Sequence, residues 1–175
     1  TLNSAIALVR EEPATAEALL EDLSALFRHA LVEQGESATL EDEIALARRY
    51  LDIEQVRFGE RLRVQWLIDP RASAARLPPL LLQPLVENAV KHGVEPTPGP
   101  AKLRITAERR GSRVVLTITN TLPPGNTGAA PRARGHGIAL ANVRDRLRLL
   151  HDVDCDFHAG VRDGLYQVRI ALPVK

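Results

Sequence analysis

The sequence predicts an α+β fold, a two-layer sandwich with helices on one face of a mixed β-sheet, preceded by a helical hairpin. Three patterns carry that reading. Through residue 58 the apolar residues recur at helical spacing. From Leu62 the period switches to two, and alternation returns at 103–107, 114–118, 153–159 and 166–172. Two helical stretches, at about 80–92 and 138–150, lie between strands, an order that layers helices over one side of a sheet.

Leu2, Ala5, Ile6 and Val9 mark the tail of a first helix, broken by Glu11-Glu12-Pro13. A second runs from about Ala14 to Val32. Its stripe of Leu19, Leu20, Leu23, Leu26, Phe27, Ala30 and Leu31 is wide for a surface helix and suits a hairpin that dimerises into a four-helix bundle. Gln34 to Ala38 is a polar linker, which divides the chain into a hairpin over 1–36 and a second domain over 37–175. Thr39, with Asp42 three residues on, caps the next helix, and Gly59 closes it. Leu40, Ile44, Ala47, Leu51 and Phe58 mark its buried side.

Leu62, Val64, Trp66 and Ile68 alternate with Arg63, Gln65 and Asp69 as a half-buried strand. Pro70 to Pro79 is a connection, Pro78-Pro79 opens the next helix at its first turn, and Gly93 ends it. Pro84 either lies in that first turn or bends the helix. Two strands follow, with Leu103, Ile105 and Ala107, then Val114, Leu116 and Ile118, as one face, and a turn at Arg110-Gly111-Ser112. Residues 121–134 lack any period and hold three Pro and two Gly, a loop whose length marks a lid or disorder. Val153, Cys155, Phe157 and Ala159 alternate as a strand. Asp163-Gly164 is a hairpin turn, and Tyr166, Val168, Ile170 and Leu172 form the last strand, ended by Pro173.

Composition narrows the function. No run of about 18 apolar residues exists, so no helix of this sequence spans a membrane. A single cysteine, Cys155, excludes an internal disulfide. A net charge of +1 argues against non-specific nucleic-acid binding. The charge is unevenly placed: residues 1–62 hold six Lys+Arg against thirteen Asp+Glu, and the rest hold seventeen against nine. An acidic front and a basic back suggest two modules, the second meeting something anionic. The chain starts at Thr1 and contains no methionine, which reads as a piece of a longer protein.

The densest chemistry lies in Gln83-Pro84-Leu85-Val86-Glu87-Asn88-Ala89-Val90-Lys91-His92-Gly93. Glu87, Asn88, Lys91 and His92 share one arc of a helix whose other arc is apolar. On an arbitrary helix such an arc is a solvated face. A carboxylate beside an amide, one turn before an ammonium and an imidazole, can also hold a metal ion and a polyphosphate together. The run resembles the N box of sensor histidine kinases in their LytS/AlgZ-like branch, close to LQPLVENAxKHG. A second motif, Gly135-His136-Gly137-Ile138-Ala139-Leu140, precedes a helix and is weak alone. After a loop and in this order it resembles the family's G2 box, where glycines and a helix N-terminus receive phosphate.

The resemblance implies the GHKL, or Bergerat-type, ATP-binding fold, and the remaining roles follow from it. Asn88 would ligate Mg²⁺, with phosphates and waters completing the octahedron. Glu87 would be the general base or orienting carboxylate. Lys91 and His92 would touch phosphates, as would Gly135, His136, Gly137, Ile138 and Leu140. The G1 box, DxGxG, departs most: the matching stretch reads Asn120-Thr121-Leu122-Pro123-Pro124-Gly125. Asn120 replaces the adenine-binding Asp and both glycines are missing; a neutral acceptor makes the weaker bond. Likewise Leu165 follows Asp163-Gly164 where relatives have a Gly-Thr pair.

Thr1-Leu2-Asn3-Ser4 resembles the end of the branch's HFxFNxLNS acceptor motif, which places the phospho-accepting His before Thr1. His29 reads as a packing or surface residue. The resemblance implies a homodimeric kinase that moves the ATP γ-phosphoryl to a His and on to a response-regulator Asp. Its parent would be embedded in the inner membrane, with this part in the cytoplasm. Two alternatives stay open: another GHKL ATPase, and a catalytically silent dimeric module, which the altered G1 box favours.

Overall fold

The computed structural model describes residues 38–123, 140–141, 143–145, 147 and 155–174. The hairpin over 1–36 with its boundary, His29, most of the 121–134 loop, Gly135 to Ile138, Val153 and His151 lie outside the described residues.

Strand β1 (Ala38–Thr39) leads into helix α1 (Leu40–Phe58). The capping box forms as the sequence expects. Thr39 accepts from the Asp42 backbone N–H at 3.2 Å and its own N–H donates to the Asp42 carboxylate at 3.3 Å. The next two free N–H groups of the first turn find tertiary partners: Leu40 donates to Ala75 O at 2.9 Å and Glu41 to Ser73 O at 3.1 Å. Gly59 closes α1 with φ 55, a left-handed conformation that glycine takes without a Cβ clash.

β2 (Leu62–Ile68) follows, then a 3-10 turn (Pro70–Ala72) and β3 (Arg76–Leu77). The 70–79 connection is thus more ordered than its composition suggests. β3 pairs antiparallel with β1, Ala38 opposite Leu77 and Thr39 opposite Arg76. Helix α2 spans Leu82–Ala89 and continues as a π-helical turn, Val90–Val94. β4 (Ala101–Arg110), β5 (Arg113–Thr121), β6 (Asp156–Arg162) and β7 (Leu165–Pro173) complete the main sheet. Residues 140–141, 143–145 and 147 are helical.

The main sheet has the order β2-β4-β5-β7-β6; β2 and β4 run parallel and the other neighbours antiparallel. Both hairpins turn where the sequence indicates, at Gly111 (φ 61) and at Asp163-Gly164 (φ 52 and 75). One face carries the core. Leu103, Ile105, Leu116, Ile118, Val168 and Ile170 meet Leu40, Ala47 and Leu51 of α1 and Leu82, Leu85 and Val86 of α2. β6 departs from the expected alternation. Cys155, just before the strand, and Phe157 pack against the core as expected, but Ala159 is exposed. β6 is the edge of the sheet, paired on one side only, with β7.

The start of α2 is a correction. Pro78-Pro79 do not open the helix; it begins at Leu82, after Leu80, which has φ 55. Pro84 therefore lies in the first turn, where a missing N–H costs no helical bond. Gly93 is the second correction: it does not end the helix but sits inside the π turn, buried.

Candidate functional site

Helix α2 has no side chain of its own to cap it. Its N-cap position is Leu81, which makes no capping bond. The capping carboxylate comes from α1: Glu43 accepts from Leu80 N–H at 2.6 Å and from Leu82 N–H at 2.8 Å. Glu43 is only 3 % exposed. A buried carboxylate is costly unless hydrogen-bonded, and the positive end of a helix favours it.

From that start the helix carries the polar arc. Gln83 donates its side-chain N–H to Glu87 Oε1 at 3.0 Å, one turn along. Gln83 Oε1 is buried and finds no partner among the described residues. Asn88 is buried, and its side chain makes no hydrogen bond to a described residue. Lys91 is exposed and His92 half-buried. The π turn winds one extra residue into the turn after Ala89, so Lys91 and His92 do not continue the α-helical phase of Glu87 and Asn88. Thr97 Oγ1 donates to Gly93 O at 2.6 Å and ties off that turn.

Gly93 joins the helix to the sheet. A Cβ added there would lie 2.3 Å from Asn120 Nδ2, 2.9 Å from Asn120 Cγ and 2.9 Å from Thr121 O. Asn120, at the end of β5, is 4 % exposed and donates Nδ2–H to Thr121 O at 2.9 Å, which leaves Oδ1 as its acceptor. Asn120, expected to meet the base, thus lies against the turn that follows the helix carrying Asn88. Leu140, expected at the phosphate loop, is packed in the core.

α1 supplies residues that motif reasoning missed. Tyr50 and Glu54 are buried on it. Burial, and then the carboxylates of Glu54, Glu87 and Glu95, push the Tyr50 phenol far above its ordinary range, so it stands as a neutral donor. Arg57 pairs with Glu54 at 3.4 Å and Glu95 at 3.0 Å, bridging α1 to the end of the π turn. Glu43, Tyr50 and Glu54 fall in phase with Leu40, Ala47 and Leu51, and polar residues on a buried stripe were the available signal.

The donors decide which cation fits. Among the described residues no group of three or more His, Cys, Asp or Glu could hold a metal. A single amide at Asn88 suits a hard cation that takes its other ligands from phosphates and water, as Mg²⁺ does.

A family model described as histidine kinase matches residues 1–62. The sensor histidine kinase BtsS of Escherichia coli is 36% identical over 151 residues, 86% of this chain and 27% of its own length. The sensor protein LytS of Staphylococcus haemolyticus is 30% identical over 167 residues, 90% of this chain and 29% of that protein. The chain thus spans about a quarter of the length of the curated relatives it matches. Among solved structures, the catalytic domain of histidine kinase ThkA superposes with TM-score 0.58 at 16% identity, covering 79% of this chain and 94% of that one. ThkA in complex with the response regulator TrrA gives 0.59 at 15%, covering 91% and 49%. Full-length ShkA in complex with AMPPNP gives 0.54 at 19%, covering 91% and 36%. The fold is that of a histidine kinase catalytic domain, and by sequence the chain belongs to the sensor histidine kinases.

Proposed function

We propose that this chain is the ATP-binding part of a two-component sensor histidine kinase, moving the ATP γ-phosphoryl to a His and then to a response-regulator Asp. The observation that supports the reading is the close packing of Gly93, in the turn that follows Glu87 and Asn88, on Asn120 at the end of β5. Asn88 ligates Mg²⁺ through its amide oxygen, and Asn120 Oδ1 accepts from the adenine amino group. Lys91, exposed and without an ion-pair partner among the described residues, meets phosphate with His92. Gly135, His136, Gly137 and Ile138, outside the described residues, are assigned to phosphate by their motif, and Leu140 just after them is packed in the core. Glu87, oriented by Gln83, takes or steers the proton of the accepting imidazole. Mg²⁺, when bound, neutralises charge on the transferring phosphoryl; catalysis otherwise rests on positioning.

The ThkA complex with TrrA supports a response-regulator receiver domain as partner. Homodimerisation through the hairpin over 1–36, and an inner-membrane parent, belong to the same proposal. No helix among the described residues is long and apolar enough to cross a membrane.

Calorimetric titration with ATP, with and without Mg²⁺, tests the reading. The chain is expected to bind ATP more tightly with Mg²⁺. Asn88→Ala should remove most of that gain, and Asn120→Leu should abolish binding while Asn120→Asp keeps or tightens it. No binding at millimolar nucleotide would instead favour the silent dimeric module that the altered G1 box allows.

A further inference from the structure

We propose that Glu43 is the positioning residue of the site helix: a carboxylate carried by α1 fixes where α2 begins, and so where Glu87 and Asn88 stand. The inference rests on the nucleotide reading of that helix for its functional half only. Three observations converge on it. First, α2 is eight residues long and lacks a capping side chain, so its own sequence neither nucleates nor anchors it. Second, both carboxylate oxygens of Glu43 are committed to backbone N–H groups at its start, Oε1 to Leu80 and Oε2 to Leu82. Third, Leu80 holds φ 55, a conformation that an L-residue keeps only where its surroundings over-determine it.

The two bonds account for the strain. A fork of two acceptors at fixed spacing demands that the Leu80 and Leu82 N–H groups point the same way, and the backward bend at Leu80 satisfies that demand. Glu43 is buried, and the partial positive charge of a helix start adds to the two bonds in favouring a carboxylate there. Glu87 and Asn88 follow Leu82 by five and six residues, within two turns, so a shift at the start reaches them with little loss. At the other end the junction of Gly93 with Asn120 leaves no slack to absorb it. α2 is pinned at both ends, and Glu43 is the pin furthest from it in sequence.

The experiment compares this chain with Glu43→Gln, which keeps the size but sets an amide N–H against a backbone N–H, and with Glu43→Asp, the milder variant, which keeps the charge one carbon short. Amide hydrogen exchange on the nucleotide-free protein reads the positioning directly. Exchange at Leu80, Leu82 and on to Asn88 should quicken by about tenfold or more in Glu43→Gln, the size expected for one lost charge-assisted bond, and less in Glu43→Asp. Amides of β4 and β5 should keep their rates. Titration with Mg²⁺ and ATP should show a similar, about tenfold weakening confined to the Mg²⁺-dependent part. A uniform rise in exchange across the sheet, or unchanged exchange at 80–88, overturns the inference. Unchanged Mg²⁺-ATP affinity beside loosened amides overturns its functional half. A parent chain that binds no nucleotide removes the proposed function instead, and the exchange data still decide the role of Glu43.

Discussion

At Gly93 a single missing methyl group lets the site helix lie against Asn120. Its φ is ordinary, so the requirement is steric: a Cβ there would press on the Asn120 amide and, at 2.9 Å, on the rigid backbone oxygen of Thr121. The side chain can yield but the backbone cannot do so cheaply. Gly93→Ala should therefore destabilise the fold by about 1–3 kcal/mol, the usual cost of overpacking. It should also weaken nucleotide binding, because the displaced group is Asn120. Thermal unfolding together with titration checks both; an alanine variant as stable as the parent and binding as tightly would show that the junction relaxes freely. The sequence marks Gly93 as a helix stop, since glycine after an apolar stripe is the ordinary sign of one. Close approach leaves the same letter, and only the position of Asn120 in space separates the two.

Among the elements, those whose signals are local were legible. Thr39 and Asp42 announce α1, and alternation of apolar residues announces β2, β4, β5 and β7 with their inward faces. α2 was misplaced at its start because Pro78-Pro79 imitates a first turn, whereas the true start is set by Glu43, 39 positions from Leu82. Pattern at short range carries no trace of such a bond. The 3-10 turn Pro70–Ala72 shows the opposite case, a small element governed by its own cap. Asp69 accepts from Arg71 N–H at 3.0 Å, from the Arg71 guanidinium, and from Arg109 N–H at 3.3 Å. These bonds, the Arg71 side chain first, lower its pKa from 3.8 to about 2. A carboxylate depressed on folding contributes stability that is present above its unfolded value and lost as pH falls through the folded one. Asp69 should thus add acid sensitivity between about pH 4 and 2. Denaturant midpoints across that window should fall less steeply in Asp69→Asn; equal slopes would mean that the carboxylate is as well bonded in the unfolded chain.

For the whole molecule, part of the basic surplus of the back half gathers in one place. Arg63, Lys102 and Arg104, with Gln65, Thr119, Asn120 and Leu165, line a groove of about 240 Å³. Alternation decides this: inward positions of β2 and β4 are apolar, so their cations face outward. The front hairpin carries the proposed dimer. Leu23→Glu puts a charge in its apolar stripe, and sedimentation should show a lower mass than the parent at equal concentration. Equal masses at every concentration would remove the dimer from the proposal. The pairing of β1 with β3 bears on how that front end speaks to the rest. Ala38 is where residues 1–37 join the described fold, and its rung partner Leu77 stands three residues before the bent Leu80. The two rungs, Ala38 with Leu77 and Thr39 with Arg76, are the whole of that ladder, so the entry of the described fold and the strand that leads to the foot of α2 share one short seam.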